Sequence, residues 1–102
     1  MASSPEYLEY VLELLAGVPE VTTRKMMGEY LLYATGKLFG GVYDDRFLVK
    51  ATDASRAVLS IEAIPYEGAA PMLLADVEDP ETIAELVAAM LPELPGPRRR
   101  RR

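Results

Sequence analysis

The spacing of apolar residues near the N-terminus predicts an amphipathic helix. They recur at i, i+3, i+4 and i+7, the period that makes one side of a helix apolar: Leu8, Val11, Leu12 and Leu15. The preceding Ser3-Ser4-Pro5-Glu6 supplies a serine cap, a proline suited to the first turn and an acidic group that complements the helix dipole. Since Gly17 and Pro19 end such a pattern, we predict a helix near residues 5–16.

Residues 21–50 change to short strand-like runs that are separated by turn residues. The runs cover residues 21–27, 30–33, 38–43 and 47–50. The connections include the turns Ala34-Thr35-Gly36-Lys37 and Asp44-Asp45-Arg46, and they are so short that neighbouring strands must be antiparallel. This part of the chain therefore predicts a four-stranded meander.

Both faces of the predicted sheet carry apolar side chains. Strand alternation places Tyr30 and Leu32 on one face and Leu31 and Tyr33 on the other. An isolated sheet would expose one of these faces to water, so we expect helices or a partner to cover both.

Helical spacing returns after residue 50. Asp53 is the predicted N-cap of a second helix that runs to about Ala63 and stops before Pro65. Its apolar stripe consists of Ala54, Ala57, Val58 and Ile61.

A strand and a third helix complete the pattern. The strand covers residues 71–77, and Asp79-Pro80-Glu81 begins a helix that ends near Leu91. The order α-β-β-β-β-α-β-α predicts an α+β fold, with three helices packed on a mostly antiparallel sheet. We assign residues 1–92 to a single domain and residues 93–102 to a flexible tail rich in proline and arginine.

Charge is unevenly distributed along the 102 residues. The net charge is −5, and five of the eleven basic residues are the last five positions: Arg98, Arg99, Arg100, Arg101 and Arg102. Without them the chain has six basic and sixteen acidic residues, a charge of −10 that repels phosphate backbones. Nucleic acid is therefore suspected only through the arginine tail. The alternative is a solvated tail that docks on the acidic body.

The composition excludes several kinds of chemistry. The chain has no cysteine and no histidine, so it cannot use a thiolate nucleophile, a disulfide or a Ser-His-Asp triad. The acidic cluster Asp76, Glu78, Asp79 and Glu81 offers oxygen ligands, but its spacing is not that of a calcium loop and Asp79 is better explained as a helix cap. We predict no enzyme activity, no metal and no cofactor.

No apolar run approaches the roughly 20 residues that cross a bilayer. The first residues contain no basic region typical of a secretory signal. We therefore expect a cytoplasmic protein without a membrane segment.

One stretch is similar to a known family. Residues 24–33, RKMMGEYLLY, followed by Gly36-Lys37-Leu38-Phe39-Gly40 and by residues 45–50, DRFLVK, resemble the signature of the TfoX/Sxy N-terminal domain family. The resemblance covers most of residues 5–92. Met27 stands where that family usually has phenylalanine, and Glu29 where it usually has a second glycine.

The resemblance implies a stand-alone, non-enzymatic module that binds a protein, with a link to competence genes and the transcription machinery. The candidate binding residues come from the motif and the strand that follows it: Arg24, Lys25, Met26, Gly28, Tyr30, Tyr33 and Lys50. Arg24 and Lys25 could form an anion-binding spot if Tyr30 or Lys50 converges on them. The alternative is structural, with Gly28 at a bend and Met26 and Tyr33 in the core.

Other partners stay open at this point. Six of the eight aromatic residues are tyrosine, a residue suited to protein interfaces but also to half-buried sheet positions. An uncovered sheet edge could pair two copies into a homodimer. A small-ligand protein or enzyme using carboxylate, lysine or tyrosine groups would require a pocket where they converge.

Overall fold

The computed structural model describes residues 3–95 and has the predicted α+β fold. In this range the helices are α1 (Pro5–Leu14), α2 (Asp53–Val58) and α3 (Pro80–Met90), and a 3₁₀ turn follows at Leu91–Glu93. The strands are β1 (Val21–Met26), β2 (Glu29–Ala34), β3 (Lys37–Val42), β4 (Phe47–Val49), β5 (Glu62–Ala63) and β6 (Met72–Leu74). They form one sheet in the order β1-β2-β3-β4-β6-β5, and each neighbouring pair is antiparallel.

Three two-residue turns build the predicted meander. Met27-Gly28, Thr35-Gly36 and Asp44-Asp45 connect β1 to β4, and both residues of each turn have positive φ. This backbone conformation matches the twist of antiparallel hairpins, and glycine adopts it at no steric cost. Gly28 and Gly36, each at φ 85°, fill the second position of their turns.

The hydrophobic core lies on one side of the sheet. Alternate residues of β2, Tyr30, Leu32 and Ala34, are buried there with residues from α1 and α3. Val11 of α1 and Ile83 and Met90 of α3 are completely buried. All three helices contribute to this side, which leaves the opposite face of the sheet without a helix.

A β-bulge in β3 decides which side chains reach the core. The β2–β3 register shifts between Leu32 and Tyr33, so Phe39 is an extra residue without a partner. Because of this residue, Phe39 and Val42 are both buried in the core although they lie three positions apart. Simple alternation along the strand would have placed them on opposite faces.

The predicted extent of the second helix is wrong. Helix α2 ends at Val58, and the chain turns to extended backbone at Leu59, which is buried in the core. The residues that follow form β5, which pairs with β6, while Val58 and Ile61 of the predicted apolar stripe are exposed. Because Leu59 is buried in the core and β5 pairs with β6, the last turns of the predicted helix do not form.

The N-cap of α2 is Thr52 rather than the predicted Asp53. The Thr52 Oγ1 accepts a hydrogen bond from the Ser55 backbone N–H at 3.0 Å, and the Thr52 N–H donates to the Ser55 Oγ at 2.8 Å. This reciprocal pair is a capping box, which satisfies two backbone donors at once.

The C-terminal residues of the described range remain attached to the domain. Leu94 is buried in the core, and the Glu93 carboxylate accepts a hydrogen bond from the Asp53 N–H at 2.8 Å. The Lys37 ammonium donates to the Leu91 carbonyl at 2.8 Å. The predicted tail lies outside the described residues from position 96 onward. Within residues 3–95, no helix is long and apolar enough to cross a membrane.

Candidate functional site

The sheet face without helices, called here the open face, is the candidate site. The strand registers align two rows of side chains across it, Thr22–Tyr33–Leu38 and Arg24–Leu31–Gly41–Leu48–Leu74. None of these side chains belongs to the core that the helices cover. Three adjoining grooves lie on this face.

The first groove, called here the cationic groove, has a volume of about 550 Å³. Its lining is Thr22, Thr23, Arg24, Tyr33, Gly36, Leu38, Lys50 and Pro95. Arg24 lies on β1, and Lys50 follows β4, where its N–H donates to the Phe39 carbonyl at 2.9 Å. The predicted convergence on Arg24 thus comes from Lys50 and Tyr33 rather than from Tyr30.

The second groove, called here the apolar groove, has a volume of about 740 Å³. Its lining is Met26, Met27, Glu29, Leu31, Leu38, Tyr43 and Tyr66. Met26, Met27 and Tyr66 are 48%, 96% and 63% exposed, a large apolar exposure for three neighbouring side chains. Methionine is flexible and tyrosine has an apolar ring with a polar tip, so both suit a protein contact.

The third groove, called here the loop groove, separates the open face from the loop that precedes β6 and has a volume of about 530 Å³. The Arg46 guanidinium ties this loop to the β3–β4 turn, because it donates to the carbonyls of Tyr43 and Ile64, each at 3.1 Å. Leu38 lines all three grooves, and Lys50 lines both the cationic and the loop groove. The three grooves therefore adjoin one another around Leu38.

Two tyrosines form the wall between the apolar and loop grooves. The rings of Tyr43 and Tyr66 are tilted by 51° with their centroids 6.2 Å apart. The Tyr43 ring passes over Gly41, where a Cβ would lie 2.7 Å from the ring and equally close to the Tyr30 carbonyl oxygen. Glycine at this position is therefore required for the wall to pack against the sheet.

The ionisation of Tyr43 reports on this packing. Burial raises the pKa of Tyr43 above the ordinary 10.0, and the nearby Tyr66, Glu29 and Tyr33 raise it further. A raised pKa favours the neutral phenol in the folded protein. The stability that this gives is complete below pH 10 and is lost as the pH rises through the higher folded pKa.

We expect Tyr43 to ionise later than an exposed tyrosine in an alkaline titration that is followed by phenolate absorbance. Burial also raises the pKa of Tyr7, so two tyrosines contribute to the late part of the curve. Tyr43→Phe should remove part of this late phase and leave the part that Tyr7 contributes. A late phase that is the same in Tyr43→Phe and in the unmodified protein would contradict the packed position of Tyr43.

The structure separates the residues that the sequence proposed as a site. Arg24, Met26, Tyr33 and Lys50 lie on the open face. Lys25 and Tyr30 pair with each other on the side of the helices, and Tyr30 is buried in the core. Gly28 lies in a turn, and its carbonyl accepts from the Ser3 N–H at 3.1 Å. The arginine tail lies outside the described residues.

Sequence reasoning missed three important side chains of the open face. Leu38, Tyr43 and Tyr66 line two or three grooves each, but none was a candidate. The excess of tyrosine was the available signal for Tyr43 and Tyr66. The face on which Tyr43 lies depends on the bulge at Phe39, which strand alternation does not predict.

One member of the acidic cluster at the start of α3, Asp79, has a structural role. The Asp79 carboxylate caps α3 by accepting from the Thr82 N–H at 3.2 Å and from the Thr82 hydroxyl at 2.7 Å. The hydrogen bond from the Thr82 side chain lowers the pKa of Asp79. Among residues 3–95, no three acidic side chains lie close enough together to hold a metal ion.

A sheet with helices on one face and a grooved surface on the other defines a small α+β domain. The family model described as the TfoX N-terminal domain matches residues 13–72, more than half of the chain, and the chain belongs to that family. It is also 33% identical over 105 residues to an uncharacterised 12.7 kDa protein in the trpE 5′ region of Spirochaeta aurantia. This match covers 99% of the chain and 91% of the relative.

Proposed function

We propose that this protein is a non-enzymatic regulatory module that binds a partner protein through the open face. The observation that carries the proposal is the apolar groove, where Met26, Met27 and Tyr66 are exposed on a face that has no helix. The TfoX N-terminal domain family supports a regulatory role in transcription or competence. The residues from Arg24 to Tyr66 that line the open face all fall within the part that matches the family model.

The chemistry of the grooves supports binding rather than catalysis. Their ionisable side chains are lysine, arginine, tyrosine and the carboxylate of Glu29. Tyr43 has a raised pKa, which keeps its phenol neutral at pH 7 and makes it a poor nucleophile. A chain without histidine or cysteine also lacks the usual general base and the usual thiol nucleophile.

The proposal is tested by comparing partner capture by three forms of the full chain. The immobilised protein, Tyr66→Ala and Tyr10→Ala are each incubated with lysate of the native organism. Tyr66 lies in the apolar groove, whereas Tyr10 is a partly exposed tyrosine on α1, which packs on the other side of the sheet. We expect one protein to be retained by the unmodified chain and Tyr10→Ala and lost from Tyr66→Ala. Equal retention by all three forms would reject the open face as the binding surface.

A second candidate is nucleic-acid binding through the arginine tail, which the run of five arginines favours. Five phosphate contacts give a log–log salt slope of about −4 to −5 on duplex DNA. Fluorescence anisotropy over a salt series, with the full chain and a form in which the five arginines are glutamine, measures this slope. Binding that is unchanged in the glutamine form would exclude the tail as the DNA contact.

A further inference from the structure

The distribution of basic side chains indicates what kind of partner the open face takes. Six basic residues lie within residues 3–95, and the side chains of three of them bond to other described residues. Lys37 bonds to the Leu91 carbonyl, Arg46 bonds to two carbonyls, and Arg56 pairs with Glu62 at 3.3 Å. The remaining three, Arg24, Lys25 and Lys50, make no side-chain hydrogen bond or ion pair with any described residue.

Two of these three side chains face the same groove. Arg24 and Lys50 line the cationic groove, and Lys25 lies on the other side of the sheet. Sixteen acidic residues lie in the described part of the chain, yet none of them lines the cationic groove. The groove is thus a positive site on a body of charge −10, and it is suited to an anionic group.

The polar groups beside the two cations suit a carboxylate. The hydroxyls of Tyr33 and Thr22 lie in the same cross-strand row and can each donate a hydrogen bond. An arginine fork binds a carboxylate through two parallel hydrogen bonds, and a lysine adds a point charge. Two cations and two hydroxyls match one or two carboxylates rather than an extended polyanion.

The apolar groove adds a second requirement. It adjoins the cationic groove at Leu38, so a ligand that occupies both must carry apolar groups next to its acidic ones. A duplex phosphate backbone offers no apolar groups, and the acidic body repels it. A protein segment that contains both aspartate or glutamate and large apolar side chains fits both grooves.

We infer that the open face binds an acidic, apolar segment of its partner, with carboxylates at Arg24 and Lys50 and apolar side chains against Leu38, Met26 and Tyr66. This inference rests on the proposed function and specifies the chemistry of the partner. Arg24 and Lys50 are the specificity-determining residues, and the apolar groove provides the contact area.

The test measures binding of short fluorescein-labelled peptides to the full chain by anisotropy. One peptide alternates glutamate with leucine and phenylalanine, the second has glutamine in place of glutamate, and the third has glutamate with serine in place of the apolar residues. We expect the first to bind at least about tenfold more tightly than either of the others. Its affinity should fall as salt is raised, because the charges are partly exposed.

Variants of the full chain locate the contact. Arg24→Gln with Lys50→Gln should weaken binding of the acidic, apolar peptide about tenfold, and Tyr66→Ala should weaken it as well. Lys25→Gln is the matched control, because Lys25 is next to Arg24 in the chain but on the other side of the sheet. It should change the affinity by less than about twofold. When Arg98 to Arg102 are also replaced with glutamine, the affinity should still differ between the double variant at Arg24 and Lys50 and the Lys25→Gln control.

The outcomes separate the inference from the proposed function. Equal binding of the glutamate and glutamine peptides, with a loss in Tyr66→Ala, would overturn the acidic partner and keep the open face as a binding surface. Loss of binding only when the tail arginines are replaced would overturn the role of Arg24 and Lys50. Competition by a short DNA duplex as strong as that by the peptide would assign the groove to phosphate instead. No binding of any peptide would overturn the inference. The proposed function would still be decided separately by the capture experiment, in which a partner is retained by the unmodified chain and lost from Tyr66→Ala.

Discussion

Replacing Gly40 with alanine is expected to lower the free energy of unfolding by about 3 kcal/mol or more, because the added Cβ meets backbone atoms. It would lie 2.3 Å from the Leu48 carbonyl oxygen and 3.0 Å from the Val49 Cα. Neither atom can move away as a side chain would, since both belong to β4, the strand that pairs with β3 here. Urea unfolding followed by circular dichroism measures the loss.

Gly68→Ala is the matched control for this prediction. A Cβ at Gly68 would have no heavy atom within 4 Å, so only the backbone at φ 88° opposes the substitution. That strain costs about 1 to 2 kcal/mol. The prediction fails if Gly40→Ala is no less stable than Gly68→Ala.

Phe39→Ala is expected to destabilise the protein by about 3 to 5 kcal/mol, because it empties a large volume in the middle of the core. Phe39 is completely buried and is the extra residue of the bulge between β2 and β3. Its ring lies in the core between the sheet and the helices, where close packing prevents the surroundings from filling the space. Thermal and urea unfolding should show the same loss.

Tyr66→Ala provides the aromatic control for Phe39→Ala. Tyr66 is 63% exposed, and its described aromatic contact is the tilted Tyr43 ring, so removing it should cost about 1 kcal/mol or less. A small effect on stability is also what makes Tyr66→Ala suitable for the binding experiments. A loss as large as that of Phe39→Ala would place Tyr66 in the structural core and contradict its role in an exposed groove.

Much of the fold follows from local features of the sequence. Ser4 caps α1 and Asp79 caps α3, each through its own side chain, as their positions before a proline predict. The meander follows from turns such as Thr35-Gly36, whose residues adopt positive φ. These predictions were confirmed because each depends on residues that are neighbours in the chain.

The candidate site was predicted only in part. Arg24 and Lys50 do line one groove, and strand alternation alone separates Lys25 from Arg24, but the sequence could not show which of the two lies on the side of the helices or that Tyr30 belongs to the core. Strand alternation assigns residues to two faces without indicating which face the helices cover. Only the packing of α1 and α3 decides that.

The sequence by itself determined the order of the elements apart from β5, the helix caps at Ser4 and Asp79, and the hairpin turns, since residues that are close in the chain specify all of these. The tertiary structure decided the bulge at Phe39, the end of α2 at Val58 and the groove where Arg24 and Lys50 meet. Each of these depends on contacts between residues far apart in the chain. The bulge places both Phe39 and Val42 in the core, and β5 forms because β6 lies beside it as an antiparallel partner.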